Sequence, residues 1–542
     1  MSRYLLILFL LIPVASAEAR QAVAEWEAVA ESHDAMGMAV VGWCGDTHDE
    51  LYFGKRDFAR NLPLNEDTMF RIASTSKLVT SMAALWLYDQ ELLDLDAPLG
   101  DYLNFEPVNP DFPNHEITTR MLLTHTSSIQ DGDFYMDFLL DSYNFSTPPS
   151  ISEVLTPGGN YFAPNHWRLE PPGSFFMYSN LNFGMIASVI EAVTEERFDV
   201  WMFNEFLPML EIPGSFNPAD IENIDDVAVL YRKPGTVWQP QLDNYQGVQP
   251  PQRNLSNYQP GDNGILFAPQ GGLRTSAQGL LQVGRVLLND GWLDDTQILS
   301  EESLNLMLEP QWEYEGNNGD NYFGLYYAFS TGAHITTNRP GEDVVVPGYP
   351  MVGHPGAAYG LASDLYVNPE KNAAIVFITN GVGNGFGFDN RSAFYTIETD
   401  VFEIYAQHIF DVCETESDDN GDDGDNGDDG DDDGDNGDDD EDTDTSAGYE
   451  DSGIPAYTKL HPNYPNPFNP STQIRFSLHE HSAVTIEVYN LAGQRVGTVS
   501  NSDFPPGKHT VRFDAQGLSS GIYLVRLQAG SIVLTRKITL IR

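Results

Sequence analysis

The sequence predicts a chain of the α/β class that ends in a small all-β sandwich. Strand-like stretches at 38–43 and 50–53 precede a helical pattern that reaches about residue 90, and a further strand-like run covers 373–380. After residue 452, short β-branched stretches alternate with Asn, Gly and Pro turns at intervals of about ten residues. With 542 residues, of which 41% are hydrophobic, the chain is long enough to form several domains with buried cores.

The charge balance excludes two classes of partner. The chain has 27 basic and 80 acidic residues, for a net charge of -53. Because polyanions repel each other, we expect neither nucleic acid nor an anionic membrane surface as a partner. Residues 414–451 contain 21 acidic residues and no basic one, which predicts an extended, solvated linker. Calcium binding by this linker stays open, although the regular spacing of a dedicated calcium loop is absent.

The first residues have the pattern of a signal peptide. Arg3 precedes an apolar run at 5–14, and Ala15, Ser16 and Ala17 follow it. This run is too short to span a bilayer, and no later run reaches 18 apolar residues, so we expect export without a transmembrane span. The predicted layout is a signal peptide at 1–17, a main domain at 19–413, the linker at 414–451 and a β-sandwich at 452–542.

Two cysteines stand at opposite ends of the main domain. An exported chain meets oxidising conditions, in which Cys44 and Cys413 can form a disulfide. This bridge requires that the first strands and the last helix of the domain are neighbours. The alternative is two separate buried thiols.

The spacing of strands and turns in the last 85 or so residues indicates a small antiparallel sandwich, and the same residues carry a specific set of motifs. They are Tyr464-Pro-Asn-Pro-Phe-Asn-Pro-Ser-Thr, Tyr489-Asn-Leu-Ala-Gly-Gln-Arg-Val and Gly521-Ile-Tyr-Leu-Val-Arg. Together they closely resemble the C-terminal sorting domain of type IX secretion cargo. The resemblance implies contact with secretion machinery and delivery to the surface or exterior of a Gram-negative cell, and it implies no catalysis.

Ser74 and Lys77 form the one S-x-x-K pattern of the chain. A serine at a helix start and a lysine three residues later lie on one face, one turn apart. A neutral lysine amine in that position can take the hydroxyl proton and so activate the serine as a nucleophile. The other interpretation is a helix-capping serine followed by a surface lysine.

Two further segments support a site. Tyr178 and Asn180 follow a Pro-Gly turn and precede a helical run at 181–195, so a phenol and an amide can project into a cleft. His354, Gly356 and Ala357 enter a strand-like stretch, in which Gly356 allows close approach of a substrate. Because Pro355 cannot donate within a central ladder, we expect this strand at a sheet edge. The alternative for His354 is a packed core or turn histidine.

Five segments in one order carry a resemblance to a known family. They are Phe70-Arg-Ile-Ala-Ser-Thr-Ser-Lys77, Ile117-Thr-Thr-Arg-Met-Leu-Leu-Thr-His-Thr-Ser127, Pro172-Gly-Ser-Phe-Phe-Met-Tyr-Ser-Asn180, Gly271-Gly-Leu-Arg-Thr-Ser276 and Gly353-His-Pro-Gly356. They resemble the serine β-lactamase-related family, which includes class C β-lactamases, D-alanyl-D-alanine carboxypeptidases, D-aminopeptidases and esterases. The resemblance implies an antiparallel sheet built from both chain ends, a mainly helical subdomain, and an active site between them.

The resemblance also implies a role for each site residue. Ser74 is similar to the acylated nucleophile, Lys77 to its proton acceptor and Tyr178 to the phenolic acid/base. Asn180 would orient the substrate carbonyl, and His354 occupies the position of a cation or hydrogen-bond donor. The N–H groups of Ser74 and Ala357 would form the oxyanion hole, beside Gly356.

The third motif departs from that of the lactamases proper, which carry Lys-Thr-Gly where this chain has His354-Pro-Gly. This lowers the expectation of antibiotic hydrolysis and favours an esterase or a D-amino-acid peptidase acting on a small molecule or peptide. The competing hypothesis is a non-catalytic surface module that binds peptidoglycan or peptides. No H-E-x-x-H or paired ligand spacing occurs among the 12 histidines, so we expect neither a metal nor a cofactor.

Overall fold

The structure, a computed structural model, describes residues 19–45, 47–145, 147–383, 386–412, 458–460, 463, 468, 470–479, 481–490, 494–530 and 532–540. These residues fall into two compact units, one before the acidic linker and one after it. The predicted signal peptide (1–17) and linker (414–451) lie outside the described residues, and both stay predictions. Among the helices that are described, none has the length and apolar character needed to cross a membrane.

The first unit contains helices and strands in alternating groups. The helices are α1 Ala19–Ser32, α2 Ser76–Asp89, α3 Thr119–Leu123, α4 Tyr135–Asn144, α5 Ser152–Leu155, α6 Asn180–Thr194, α7 Phe198–Trp201, α8 Leu207–Met209, α9 Ala277–Leu288, α10 Glu301–Leu308 and α11 Thr396–Tyr405. The strands are β1 Ala35–Cys44, β2 Thr47–Asp57, β3 Leu62–Pro63, β4 Phe70–Arg71, β5 Gly214–Ser215, β6 Leu230–Arg232, β7 Gln239–Leu242, β8 Arg274–Thr275, β9 Trp292–Leu293, β10 Thr296–Gln297, β11 Trp312–Glu313, β12 Ala328–Phe329, β13 His334–Ile335, β14 Val352–Ala358, β15 Leu361–Asn368 and β16 Ala373–Val382.

One large sheet draws strands from both ends of this unit. Its order is β11-β12-β13-β14-β15-β16-β1-β2-β3, and the neighbouring strands are antiparallel. The continuous apolar run of β16 is buried at every position, as expected for a strand covered on both faces. The antiparallel sheet that the resemblance implies is therefore confirmed.

Helices cover both faces of the sheet. Directly paired residues of an antiparallel ladder point to the same face, and consecutive residues point to opposite faces. Gly42, which pairs with Ile375, lies against the side chains of Trp26 and Tyr405 of α1 and α11. The next pair joins Trp43 to Ala374, and Ala374 lies against α9. The sheet is thus the middle layer between α1 with α11 and α9.

The segment between β4 and β5 is mainly helical. Helices α2 and α6 are buried along most of their length, because their sequences are apolar on nearly every face. The helical pattern predicted to reach about residue 90 ends at Asp89. This helical subdomain, which the resemblance implies, is confirmed.

The second unit is all-β in its described residues. Its strands are β17 Lys459–Leu460, β18 Ser471–Leu478, β19 Ser482–Asn490, β20 Arg495–Phe504, β21 Gly507–Asp514, β22 Gly521–Ala529 and β23 Ile532–Leu540. They form one sheet in the order β17-β18-β21 and another in the order β20-β19-β22-β23, around a shared apolar core. The predicted all-β class of this region is confirmed.

Cys44 is buried and disulfide-bonded at the end of β1. The final helical segment lies beside this strand end, since the Tyr405 hydroxyl donates a hydrogen bond to the Trp43 carbonyl oxygen at 3.0 Å. Cys413 lies outside the described residues, so its pairing with Cys44 stays a prediction.

Candidate active site

Ser74 lies in a short 3-10 turn, Ala73–Thr75, directly before α2. Ala73 has a left-handed backbone with φ of 47°, a strained conformation for a residue with a side chain. The turn leaves Ser74 partly accessible, whereas Lys77, in the first turn of α2, is fully buried. Lys77 Nζ lies 3.3 Å from Ser74 Oγ.

The surroundings of Lys77 favour the neutral amine. Burial lowers the pKa of Lys77 to about 7, although the Asp131 carboxylate acts to raise it. Lys77 Nζ also donates hydrogen bonds to Asn180 Oδ1 and to the Gln270 carbonyl oxygen, each at 2.9 Å. A neutral amine has two N–H donors and one lone pair. Because the two carbonyl acceptors take the donors, the lone pair is left for the Ser74 hydroxyl.

Asp131 organises the start of α6. Its carboxylate accepts hydrogen bonds from Ser179 Oγ, Asn180 Nδ2 and Leu181 N, each at 2.9 Å, and from Asn180 N at 3.1 Å. The bond from Asn180 Nδ2 turns the amide so that Oδ1 faces Lys77. Asp131 is not among the residues predicted from the sequence, since no local pattern relates it to a helix that begins 49 residues later.

Tyr178 is held among other aromatic rings beside Lys77. Lys77 Nζ lies 4.7 Å from the centre of the Tyr178 ring, which stacks on Tyr326 at 5.6 Å and lies 4.5 Å from the His125 ring. His125, another residue without an assigned role in the sequence analysis, accepts a hydrogen bond from Ser179 N at its Nδ1, at 3.2 Å. These contacts fix the ring of Tyr178 next to the amine.

His354 is fully buried on β14 and is neutral. Burial holds the pKa of His354 well below its usual value, and the nearby Lys77, whenever it is protonated, lowers it further. Its Nδ1–H donates to the Pro355 carbonyl oxygen at 2.6 Å, so Nε2 is an acceptor, 3.5 Å from the Tyr178 hydroxyl. We expected a cation or a hydrogen-bond donor at this position. The structure instead has a buried hydrogen-bond acceptor there, the Nε2 atom of His354.

Strand β14 lies directly against the Ser74 turn. The Thr75 hydroxyl lies 2.9 Å from Ser363 Oγ and donates to the His354 carbonyl oxygen at 3.4 Å. The prediction of an edge strand was wrong, because β13 continues the sheet beyond β14. However, β13 pairs with only Val352 and Gly353 of β14. Along the remainder of that edge, β14 has the Ser74 turn as its neighbour and no strand. Ala357, paired with Ala362 on its other side, belongs to this second part.

Gly356 makes this close approach possible. A Cβ at this position would lie 2.6 Å from Ser363 Oγ, 2.8 Å from Thr75 Oγ1 and 2.9 Å from the Ile72 carbonyl oxygen. The absence of a side chain thus lets β14 pack onto the turn that carries Ser74.

Replacing Gly356 with alanine should lower the free energy of unfolding by about 1–3 kcal/mol, because the added methyl group overlaps atoms of a packed core. Urea unfolding of the variant measures this change. The control is Gly271→Ala, whose new Cβ would meet Ala73 at an ordinary 3.4–3.6 Å. Equal stability of the wild type and Gly356→Ala would contradict the account of Gly356.

The structure thus brings five of the predicted residues into one connected cluster: Ser74, Lys77, Tyr178, Asn180 and His354. Gly356 and Ala357 lie on the strand beside this cluster. Cys44, at the far end of β1, belongs to the disulfide prediction and takes no part in the site.

Comparison with known proteins finds curated proteins of similar sequence and solved structures of similar fold. Penicillin-binding protein 4* of Bacillus subtilis (strain 168) is 28% identical over 188 residues, which are 34% of this chain and 38% of that protein. The chain therefore matches less than half of the length of this relative. Among solved structures, D-amino acid amidase from Ochrobactrum anthropi SV3 has a TM-score of 0.52 at 18% identity, over 72% of this chain and 99% of its own. EstCE1, described as a hydrolase with promiscuous acyltransferase activity, has a TM-score of 0.51 at 17% identity, over 72% and 98%.

The two solved structures show similarity of fold. Membership of a protein family is shown by the family models that match the sequence. The β-lactamase model matches residues 20–396, which is most of the chain and includes every residue of the cluster. The model of the secretion system C-terminal sorting domain matches residues 463–541. The chain is therefore a member of the β-lactamase family that carries a C-terminal secretion sorting domain.

Proposed function

We propose that the chain is an exported serine hydrolase that cleaves an ester or amide bond through an acyl-enzyme on Ser74. The observation that carries this proposal is the position of Lys77, a buried amine that lies 3.3 Å from Ser74 Oγ and donates to Asn180 Oδ1 and to the Gln270 carbonyl oxygen. A nucleophile beside a base serves catalysis and has no evident use in a binding module.

The geometry supports the following sequence of steps. Ser74 Oγ attacks the substrate carbonyl carbon while its proton passes to Lys77. The N–H groups of Ser74 and Ala357 stabilise the oxyanion, and Asn180 orients the substrate. Tyr178 protonates the leaving group, which departs and leaves an acyl-Ser74 ester. A water molecule then attacks this ester, transferring its proton through the same groups, and restores the free serine.

The substrate class is narrowed by the neutral His354. Without a cation at this position, the site is poorly suited to the carboxylate that lactam antibiotics carry there, which favours a small acyl ester or a D-amino-acid amide or peptide. The names of the amidase and hydrolase relatives agree with this range. The sorting domain supports export through secretion machinery to the surface or exterior of a Gram-negative cell.

Covalent labelling tests the proposal. The full chain is exposed to a fluorophosphonate and, separately, to a penicillin, and its intact mass is measured beside that of Ser74→Ala. We expect one fluorophosphonate adduct that Ser74→Ala lacks. An additional penicillin adduct would favour a peptidase, and its absence would favour an esterase. No adduct on folded protein would support the alternative of a non-catalytic surface module.

Replacing Tyr178 with phenylalanine should lower kcat/KM for an amide by at least about 10²-fold, because the leaving amine then lacks its proton donor. The loss should be smaller for a 4-nitrophenyl ester, whose leaving group departs without protonation. Tyr326→Phe, which keeps the stacked ring, is the control. Equal losses for the amide and the ester would contradict the role of Tyr178 as an acid.

Replacing Asp131 with asparagine should shift the acid limb of the kcat/KM profile to lower pH. The Asp131 charge raises the pKa of Lys77, so its removal lowers that pKa and the neutral amine persists in more acidic solution. The readout is the pH of the limb, since lost hydrogen bonds also lower the rate at every pH. Asp294→Asn, at an exposed ion pair with Arg285, should leave the limb in place, and an unmoved limb in Asp131→Asn would contradict the coupling.

A further inference from the structure

Arg71 is one of the arginines of the first unit for which the described residues include no ion pair; another, Arg253, donates to the Ser142 and Phe145 carbonyl oxygens instead. Most arginines of this unit form ion pairs, as Arg120 does with Asp96 and Arg274 with Asp243. The half-buried Arg71 instead donates through Nε to the Gly271 carbonyl oxygen at 2.9 Å. Within the described part of the chain, its guanidinium nitrogens have no carboxylate within ion-pair distance. Against the effect of its burial, the pKa of Asp243 is lowered mainly by Arg274 and further by Arg71, and Arg274 is its direct partner. In a chain with so many acidic residues, this leaves a cation available for a ligand.

The position of Arg71 is next to the candidate active site. Gly271 follows Gln270, whose carbonyl oxygen binds Lys77 Nζ. Because consecutive Cα atoms are about 3.8 Å apart, the guanidinium and Lys77 Nζ lie within roughly 10 Å of each other. Gly271 itself lies against Ala73, the residue before Ser74.

Tyr359 marks the side of the site on which Arg71 lies. The Arg71 guanidinium lies 5.6 Å from the centre of the Tyr359 ring, which is 42% exposed in the turn after β14. Tyr359 comes two residues after Ala357, and His354 comes three residues before it. At about 3.3 Å per residue, Tyr359 and His354 are roughly 16 Å apart along the chain, with Ala357 between them.

The two ends of the strand differ in charge. The His354 end is neutral, and His354 Nε2 faces the Tyr178 hydroxyl that protonates the leaving group in the proposed mechanism. The leaving group is therefore placed at the His354 end, and the acyl group extends past Ala357 toward Tyr359. The cation of Arg71 lies at the acyl end.

We infer that Arg71, supported by the Tyr359 ring, binds a carboxylate on the acyl portion of the substrate. A guanidinium binds a carboxylate through two parallel N–H donors, and its planar face stacks on an aromatic ring. This inference rests on the proposed function, because the direction of the substrate follows from the role of Tyr178. The substrate class it names is an ester or amide of an acyl group that carries its own carboxylate.

Two esters of matched shape test the inference on the full chain: mono-4-nitrophenyl glutarate, which carries the carboxylate, and 4-nitrophenyl pentanoate, which does not. In Arg71→Gln, kcat/KM for the glutarate ester should fall at least tenfold more than for the pentanoate ester, mainly through KM. For Arg71→Lys, kcat/KM for the glutarate ester should lie between the values of the wild type and Arg71→Gln. High salt should weaken the preference of the wild type for the glutarate ester. Arg285→Gln, at an exposed ion pair with Asp294, is the matched control.

A binding measurement separates this inference from the proposed function. In the Ser74→Ala background, calorimetry compares glutaramate with pentanamide, with and without Arg71→Gln. We expect glutaramate to bind more tightly, and Arg71→Gln to weaken its binding at least tenfold. Absence of turnover with Arg71-dependent binding would overturn the proposed function and uphold the Arg71 site. Equal losses for both esters, or equal binding of both amides, would overturn the Arg71 inference and leave Arg71 as a brace for Gly271.

Discussion

Ser74→Ala should lower kcat/KM for an activated ester by at least about 10⁴-fold, because removing the hydroxyl removes the atom that forms the acyl-enzyme. The effect is this large because, without the hydroxyl, Lys77 has no nucleophile to activate and the oxyanion donors have no tetrahedral intermediate to stabilise. A continuous assay of 4-nitrophenol release, with circular dichroism to verify the fold, measures the loss.

Ser81 provides the control for this substitution. It lies on α2, the same helix as Lys77, and its buried hydroxyl has no hydrogen-bond partner among the described residues. Ser81→Ala should therefore keep wild-type activity. If Ser74→Ala retained activity within tenfold of the wild type, the assignment of the nucleophile would be wrong.

The second large effect concerns Lys77. Its amine can accept the Ser74 proton only when it is neutral, so the rate should rise with pH through the pKa of Lys77, which burial lowers to about 7. At two pH units below that value, about one amine in a hundred is neutral, and kcat/KM should fall by about 10²-fold. A pH profile of kcat/KM from 4.5 to 9, on protein shown to be folded throughout, measures the limb.

Lys77→Ala should reduce kcat/KM at pH 8 by at least about 10²-fold and abolish the limb near pH 7. The surviving activity should then depend on pH through other groups. A limb that persists near pH 7 in Lys77→Ala would assign it to another residue and contradict the role of Lys77 as the base.

The periodicity of the sequence predicted those features that depend on interactions between residues close together in the chain. The proximity of Ser74 to Lys77 follows from the helical repeat, which places residues three apart on one face. The exact start of the helix was less accessible, since Ser74 belongs to the 3-10 turn before α2 and not to the helix itself. The all-β class of the second unit follows from alternation and turn residues, and the structure confirms it.

Long-range packing determined the chemistry of the site. Lys77 meets Asn180 and Gln270 across 103 and 193 residues of sequence, and the burial that lowers its pKa comes from the same assembly. His354 is neutral because β14 is covered, which a histidine next to a proline does not indicate. The edge-strand prediction failed because the end of β13, and not the proline, decides where the partner strand stops.

The amino-acid sequence was thus sufficient for the family, the fold class and the residue types of the candidate site. Only the tertiary structure decided the lowered pKa values of Lys77 and His354, the hydrogen bonds of Asp131 to the start of α6 and the position of Arg71. The physical reason is that a local pattern constrains a residue and its neighbours within a turn or a strand pair. Burial and electrostatic environment, in contrast, are set by segments far apart in the chain that meet only when it folds.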